Sequence, residues 1–185
     1  MTRKDFQDMP CYILAGGRHS RDRDFQDEGG VTRLEKGYRR YAAVFENVTL
    51  VLKKDQAREH YLNYPHVCDD QPDFSELSGL HTVLNKTESD VVFVGSSEIT
   101  DFPLELIVNL VRNYRGEMYL GYRAPNQPDS RPQPLFGIYH RSLAPKIREA
   151  MTEGPAALTS LTESSGRTIP LPDGVPADRI GMDHD

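Results

Sequence analysis

Short aliphatic and β-branched runs alternate along the chain with stretches whose apolar residues recur every three or four positions. Pro10 to Ala15 reads as a buried strand, cut off sharply by Gly16-Gly17. Residues 18–33 are polar, charged and glycine-containing, and read as a long loop. From Leu34 the period turns helical, with Tyr38, Tyr41, Ala42 and Phe45 on one face. Val48 to Leu52 is a strand, Asp55 caps a short helix running to about Tyr64, and His66 to Cys68 is a short strand. Ser75 or Ser78 opens a helix that carries Leu77, Leu80 and Leu84 on one stripe. Asp90 to Gly95 is the most strongly apolar strand. Thr100 or Asp101, followed by Pro103, signals the start of a helix with Leu104, Ile107, Val108, Val111 and Tyr114 inward and Gly116 beyond its end. Met118–Tyr122 and Pro134–His140 read as strands separated by a Pro/Asn/Gln/Asp loop. A helix marked by Leu143, Ile147 and Met151, a short helix over 156–165 and an extended piece over 167–171 follow.

Strands that alternate with helices predict a three-layer α/β/α, Rossmann-like fold with a mostly parallel sheet. The expected organisation is a leader over 1–9, a single domain over 10–171 and a loose tail over 172–185, which is rich in Pro, Gly and Asp. The 185 residues carry 22 Lys and Arg against 28 Asp and Glu, a formal net charge of −6. This balance argues against a general nucleic-acid binder, which carries a basic face. The two cysteines, Cys11 and Cys68, are too few for a disulfide framework. No apolar stretch approaches bilayer length and the N-terminal residues lack a signal-peptide core, so a cytoplasmic protein is expected.

In open α/β sheets ligands gather at the carboxyl ends of the strands. Three loops of this chain fall there. Leu14-Ala15-Gly16-Gly17 can present backbone N–H groups to phosphate oxygens, with Arg21 adding a charge-assisted bond. The same glycines also suit a plain tight turn. Cys68-Asp69-Asp70 can accept from a base or sugar, approach a metal, or stand as a solvated acidic turn. Gly95-Ser96-Ser97-Glu98 places a carboxylate just past a central strand, a position that suits Mg²⁺ or a helix-capping loop. Arg112, Arg115, Arg123 and Arg131 could collect around an anionic group. The six histidines show no metal-ligand spacing.

The order and spacing of these segments resemble the molybdenum cofactor guanylyltransferase family (molybdopterin-guanine dinucleotide biosynthesis protein A), nucleotidyltransferases of the nucleotide-diphospho-sugar transferase fold. Leu14 to Gly17 match the family's opening Leu-Ala-Gly-Gly, and Arg21 falls on its Arg. Asp70 falls on the Asp after the third strand, and Leu77 and Gly79 keep two positions of a Gly-Pro-Leu-x-Gly helix start. Val91 to Val94 match the central strand, Glu98 falls on the family's metal Asp, and Pro103 on a Pro that follows it. Gln133-Pro134-Leu135 and the strand to Tyr139 resemble the family's strand beside the pterin site.

The resemblance implies transfer of GMP from GTP to molybdopterin with release of pyrophosphate, with Mg²⁺ as cofactor. It implies nucleotide binding by Leu14, Ala15, Gly16, Gly17, Lys53 and Asp70, catalysis by Arg21 and Glu98, and metal binding by Glu98. GTP, molybdopterin and molybdoenzyme maturation proteins are the partners it implies, without nucleic acid or membrane. Several positions depart from the pattern. Asp22-Arg23 replace Met-Gly, and the triphosphate Lys has no clear equivalent, leaving Arg33 or Lys36 to substitute. Lys53 stands near the family's Asn, Glu98 replaces its Asp, and the closing Asn-rich motif is not recognisable. These departures frame an alternative expectation: a nucleotide- or cofactor-binding module of the same fold, catalytically impaired, acting in molybdenum cofactor handling.

Overall fold

A computed structural model of the chain describes residues 8–15, 24–26, 29–59, 64–69, 71, 75–125, 130–153 and 157–182. Seven strands form one sheet in the order β3-β2-β1-β4-β6-β5-β7. In chain order they are β1 (Cys11–Leu14), β2 (Val48–Lys53), β3 (His66–Asp69), β4 (Val91–Ser96), β5 (Tyr119–Arg123), β6 (Phe136–His140) and β7 (Arg167–Pro170). The described helices are α1 (Arg33–Ala42), α2 (Lys54–Glu59), α3 (Glu76–Lys86), α4 (Leu104–Asn113), α5 (Ala144–Ala150) and α6 (Ala157–Ser165).

All neighbours pair in parallel except β6, which runs antiparallel to both β4 and β5. The reversal has a local cause. A parallel crossover needs a helix-length connection, whereas residues 124–135 return the chain from β5 to β6 with no described helix between them. After β6, α5 and α6 carry the chain back, so β7 pairs parallel with β5.

The sheet is covered on both faces, which is why its strands read as near-continuous apolar runs. Leu34 and Tyr41 of α1, and Leu106, Ile107, Leu110 and Val111 of α4, pack with Cys11, Ile13, Leu50, Phe93, Phe136 and Ile138 on one face. Leu77, Leu80 and Val83 of α3, with Ile147 of α5 and Leu158 of α6, pack with Leu14, Val51, Val92 and Val94 on the other. The expected three-layer architecture is the observed one.

Several local expectations are corrected. On α4, Ile107 and Val111 are buried and Leu104 and Tyr114 pack partly buried against the core as expected, but Leu106 and Leu110 are buried too, and Val108, expected inward, lines a surface groove of about 450 Å³. The helix starts one residue after Pro103, with no side-chain cap from Thr100 or Asp101. On α1, Ala42 is exposed. Gly37 is buried instead, because a Cβ there would lie 3.4 Å from the Ser97 carbonyl oxygen. Met9, placed in the leader, is in the core. Residues 172–182, expected as a loose tail, pack down. Leu171, Ala177, Ile180 and Met182 are buried, and their apolar side chains overcome the Pro/Gly-rich composition around them.

Candidate active site

The strand order reverses between β1 and β4, both of which leave the sheet at the same edge. Leu14 and Ser96 are register partners there, and Ser97 N–H donates to the Leu14 carbonyl at 2.9 Å. This is the switch point at which such sheets hold their ligands. Leu14 and Ala15 lie at it. Ala15 N–H is already donated to the Val51 carbonyl of β2 at 3.1 Å. Gly16, Gly17, Arg21 and Asp70 lie outside the described residues.

Glu98 is exposed, two residues past β4. Its N–H donates to Ser96 Oγ at 3.2 Å, and Ile99 N–H donates to the Ser96 carbonyl, which folds the loop into a tight turn. Glu76, at the first turn of α3, has its carboxyl raised by the protein around it and further by the negative charge of Glu98.

Lys53, the last residue of β2, is only 9% exposed. Its ammonium donates to Asp69 Oδ2 at 2.8 Å, to the Gln71 carbonyl at 2.9 Å and to Ser78 Oγ at 3.4 Å. Asp69, the last residue of β3, also accepts from Ser78 Oγ at 2.6 Å, Thr82 Oγ1 at 2.9 Å and Gln71 N–H at 3.0 Å. Burial alone would raise the Asp69 carboxyl. The bonds from Lys53, Ser78, Gln71 and Thr82 outweigh that and hold it below its ordinary value. Lys53 thus ties the ends of β2 and β3 to α3. The sequence gives no sign that Asp69 is its partner.

Asp24 is a second residue that sequence reasoning missed. It is fully buried, and its carboxylate accepts from Ser97 Oγ at 3.0 Å. Among the described residues no three His, Cys, Asp or Glu side chains gather as a metal cluster.

On the β6 side of the edge, Gln133 N–H donates to the Tyr122 carbonyl, and Gln133 Oε1 accepts from Leu135 N–H at 2.9 Å. Its Nε2 donates to the Gly181 carbonyl at 2.8 Å. The C-terminal turn thereby reaches the segment that the resemblance places beside the acceptor. Arg179 pairs with Asp101 in the loop after β4. The four arginines do not form one patch. Arg112 and Arg115 stand at the far end of α4, the sheet edge where β5 begins, and Arg123 and Arg131 stand at the edge where it ends. Arg115 is turned onto the Arg112 and Tyr114 carbonyls.

A sheet of this order, with one reversed strand and a Leu-Ala-Gly-Gly sequence at its switch point, defines the Rossmann-like NTP transferase class. Two solved structures share the fold. One is molybdopterin-guanine dinucleotide biosynthesis protein A from Archaeoglobus fulgidus, at TM-score 0.70 and 18% identity, covering 88% of this chain and 83% of that one. The other is the Aquifex aeolicus VF5 protein Aq1419, at TM-score 0.74 and 23% identity, covering 96% and 94%. Residues 11–168 match the MobA-like NTP transferase domain, and the chain belongs to that family. The molybdenum cofactor guanylyltransferase of Haemophilus influenzae (strain 86-028NP) is 26% identical over 163 residues, 85% of this chain and 84% of that protein. No described helix is long and apolar enough to cross a membrane.

Proposed function

We propose that this protein transfers a guanylyl group from GTP to the phosphate of molybdopterin, in the cytoplasm, and that its product passes to molybdoenzyme maturation proteins. The observation that carries this reading is the match to molybdenum cofactor guanylyltransferases along most of both chains. In the reaction an oxygen of the molybdopterin phosphate attacks the α-phosphorus of GTP. The new P–O bond forms as the bond to the β-phosphate oxygen breaks, and pyrophosphate leaves with that electron pair. Catalysis is positioning plus charge stabilisation, with no covalent enzyme intermediate.

In this reading Leu14 and Ala15 bring the chain to the triphosphate, Gly16 and Gly17 present backbone N–H groups to it and Arg21 neutralises it. Asp70 orients the nucleotide, while Lys53 and Asp69 fix the corner beside it. Mg²⁺ needs only one or two carboxylates, because phosphate oxygens and water complete its shell. The exposed carboxylate of Glu98 is a hard oxygen donor that fits this demand. When bound, Mg²⁺ offsets the negative charge of the phosphates.

The test is turnover of GTP and molybdopterin with Mg²⁺, alongside a thermal shift with GTP. At a hundredfold excess over Kd, binding should stabilise the fold by about 2.7 kcal/mol. Glu98→Ala should abolish the dependence of turnover on Mg²⁺ with the fold intact, and Glu98→Asp should preserve or raise it. GTP binding with no turnover under any divalent metal would replace this reading with the binding module.

A further inference from the structure

Ser97 is the first residue after β4, and it joins three elements. Its N–H donates to the Leu14 carbonyl at the end of β1. Its Oγ donates to Asp24 Oδ1 at 3.0 Å, with both residues almost wholly buried. Its carbonyl oxygen packs against α1 at Gly37, where a Cβ would stand in van der Waals contact at 3.4 Å. Asp24 is fastened on its other side too, since its carbonyl accepts from Leu34 N–H in the first turn of α1 at 3.0 Å. A buried carboxylate is retained only when it is bonded, so this contact is costly to break from either end.

We propose that Asp24 and Ser97 form a clasp that positions the nucleotide-binding edge: the pair locks the connection entering α1 onto the end of β4 and so sets the affinity for the nucleoside triphosphate. The inference rests on the guanylyltransferase reading. Asp24 and Ser97 are positioning residues, because their burial keeps them from touching a ligand. Their effect is on the spacing of two walls. One wall is the start of α1, which Asp24 holds through the bond from Leu34 N–H. The other is the loop after β4 that carries Glu98. A pocket for a polyanion gains affinity when its walls are held in place before the ligand arrives. The acceptor side, around Gln133 and Gly181, lies beyond this junction and is fastened by different bonds. The loop after β4 also touches the C-terminal turn through Ile99 and Asp101, but the clasp itself is bonded to β1 and to the start of α1, so it acts more strongly on GTP than on the acceptor.

The experiment compares wild type, Ser97→Ala, Asp24→Asn and Ser97→Thr. The readouts are GTP titration by thermal shift at fixed Mg²⁺ and KM for GTP and molybdopterin separately. Ser97→Ala removes one oxygen and leaves the backbone bond to Leu14, so the fold is expected to survive, as circular dichroism would show. The expected result is a rise of about tenfold in Kd and KM for GTP, the change that loss of about 1.4 kcal/mol produces. KM for molybdopterin stays within twofold, and Ser97→Thr, which keeps the hydroxyl, recovers most of the GTP affinity. Asp24→Asn keeps an acceptor oxygen for Ser97 and falls between Ser97→Ala and wild type. Unchanged GTP affinity in Ser97→Ala overturns the inference, as does an equal loss for both substrates, which marks a merely structural residue. A wild-type protein that shows no GTP shift is a different failure: it removes the guanylyltransferase reading and the inference with it.

Discussion

Replacing Lys53 by Met should destabilise the protein by about 3–5 kcal/mol at pH 7, because it strands a buried carboxylate. Asp69 is 5% exposed and takes four hydrogen bonds, of which the ammonium bond is the only one from a charged group among those described. Met matches the length of the Lys stem, so the apolar packing survives and the change isolates the charge. The pH dependence gives the argument a sign. Asp69 is held below its ordinary value in the folded protein, so it binds fewer protons there than in the unfolded chain. Its stabilisation is therefore full above the unfolded carboxyl pKa of about 3.9 and is lost as pH falls through the lower folded value. Without Lys53 the folded value rises, and protonation of Asp69 relieves the stranded charge. The deficit of Lys53→Met against wild type should accordingly shrink between pH 7 and pH 4. Urea unfolding at a series of pH values measures it. A deficit under about 1 kcal/mol at pH 7, or one that is the same at both ends of the range, would refute the reasoning.

Three further outcomes follow from packing. Gly95→Ala places a Cβ 2.4 Å from Tyr41 Oη and 2.5 Å from Cζ, in a ring wedged among Phe93, Phe102 and Phe136, and should cost about 3 kcal/mol or more in urea unfolding. Ile180→Ala should cost about 2–5 kcal/mol and Arg179→Ala less than about 1 kcal/mol; a silent Ile180→Ala would return residues 172–182 to a loose tail. Cys11, whose thiol burial pushes up, should resist a thiol reagent in the folded protein, while the half-buried Cys68 reacts first, a difference read by mass spectrometry of the labelled peptides.

The layers were legible because each strand is a short apolar run between turn residues and most helices show a clear stripe. The phase of α4 was legible only in part. Ile107 and Val111 lie inward as expected, but Leu106 and Leu110 join them, and only the sheet beneath selects that pair over Val108. The switch-point edge was legible because it is carried by backbone at strand ends, where Leu14, Ala15 and the loop holding Glu98 lie. It was illegible where it depends on partners far apart in sequence. Asp24 sits in a run of charged residues and looks solvated. Its burial is decided by Ser97, 73 positions away. Lys53 reads as a nucleotide contact through the resemblance alone, and nothing local to it announces Asp69, which β3 brings beside it. Ile180 was hidden by its neighbours Pro172, Gly174 and Pro176, whose turn chemistry argues for loop and says nothing about packing.

The loop after β4 shows why these hidden partners bear on function. Tyr41 Oη of α1 reaches the Ser96 carbonyl, and Ser97 is bonded to Leu14 and Asp24. Ile99 is buried beneath Gly181, and Asp101 pairs with Arg179. The Phe102 carbonyl accepts from the Arg40 guanidinium, which also stacks over the Phe102 ring. Successive residues of one loop are thus held by β1, by α1, by the connection into α1 and by the C-terminal turn. Glu98 projects outward from that frame. A loop tied at so many points has little freedom to adapt to a longer side chain, so the carboxylate's position is set by the backbone plus one extra methylene. Mg²⁺ tolerates little departure from octahedral geometry. In the proposed reading, a Glu where the family has Asp acts on the chemistry directly, rather than being absorbed by movement of the loop. That is the physical reason Glu98→Asp separates a site that works with its present ligand from one that has been left short of activity.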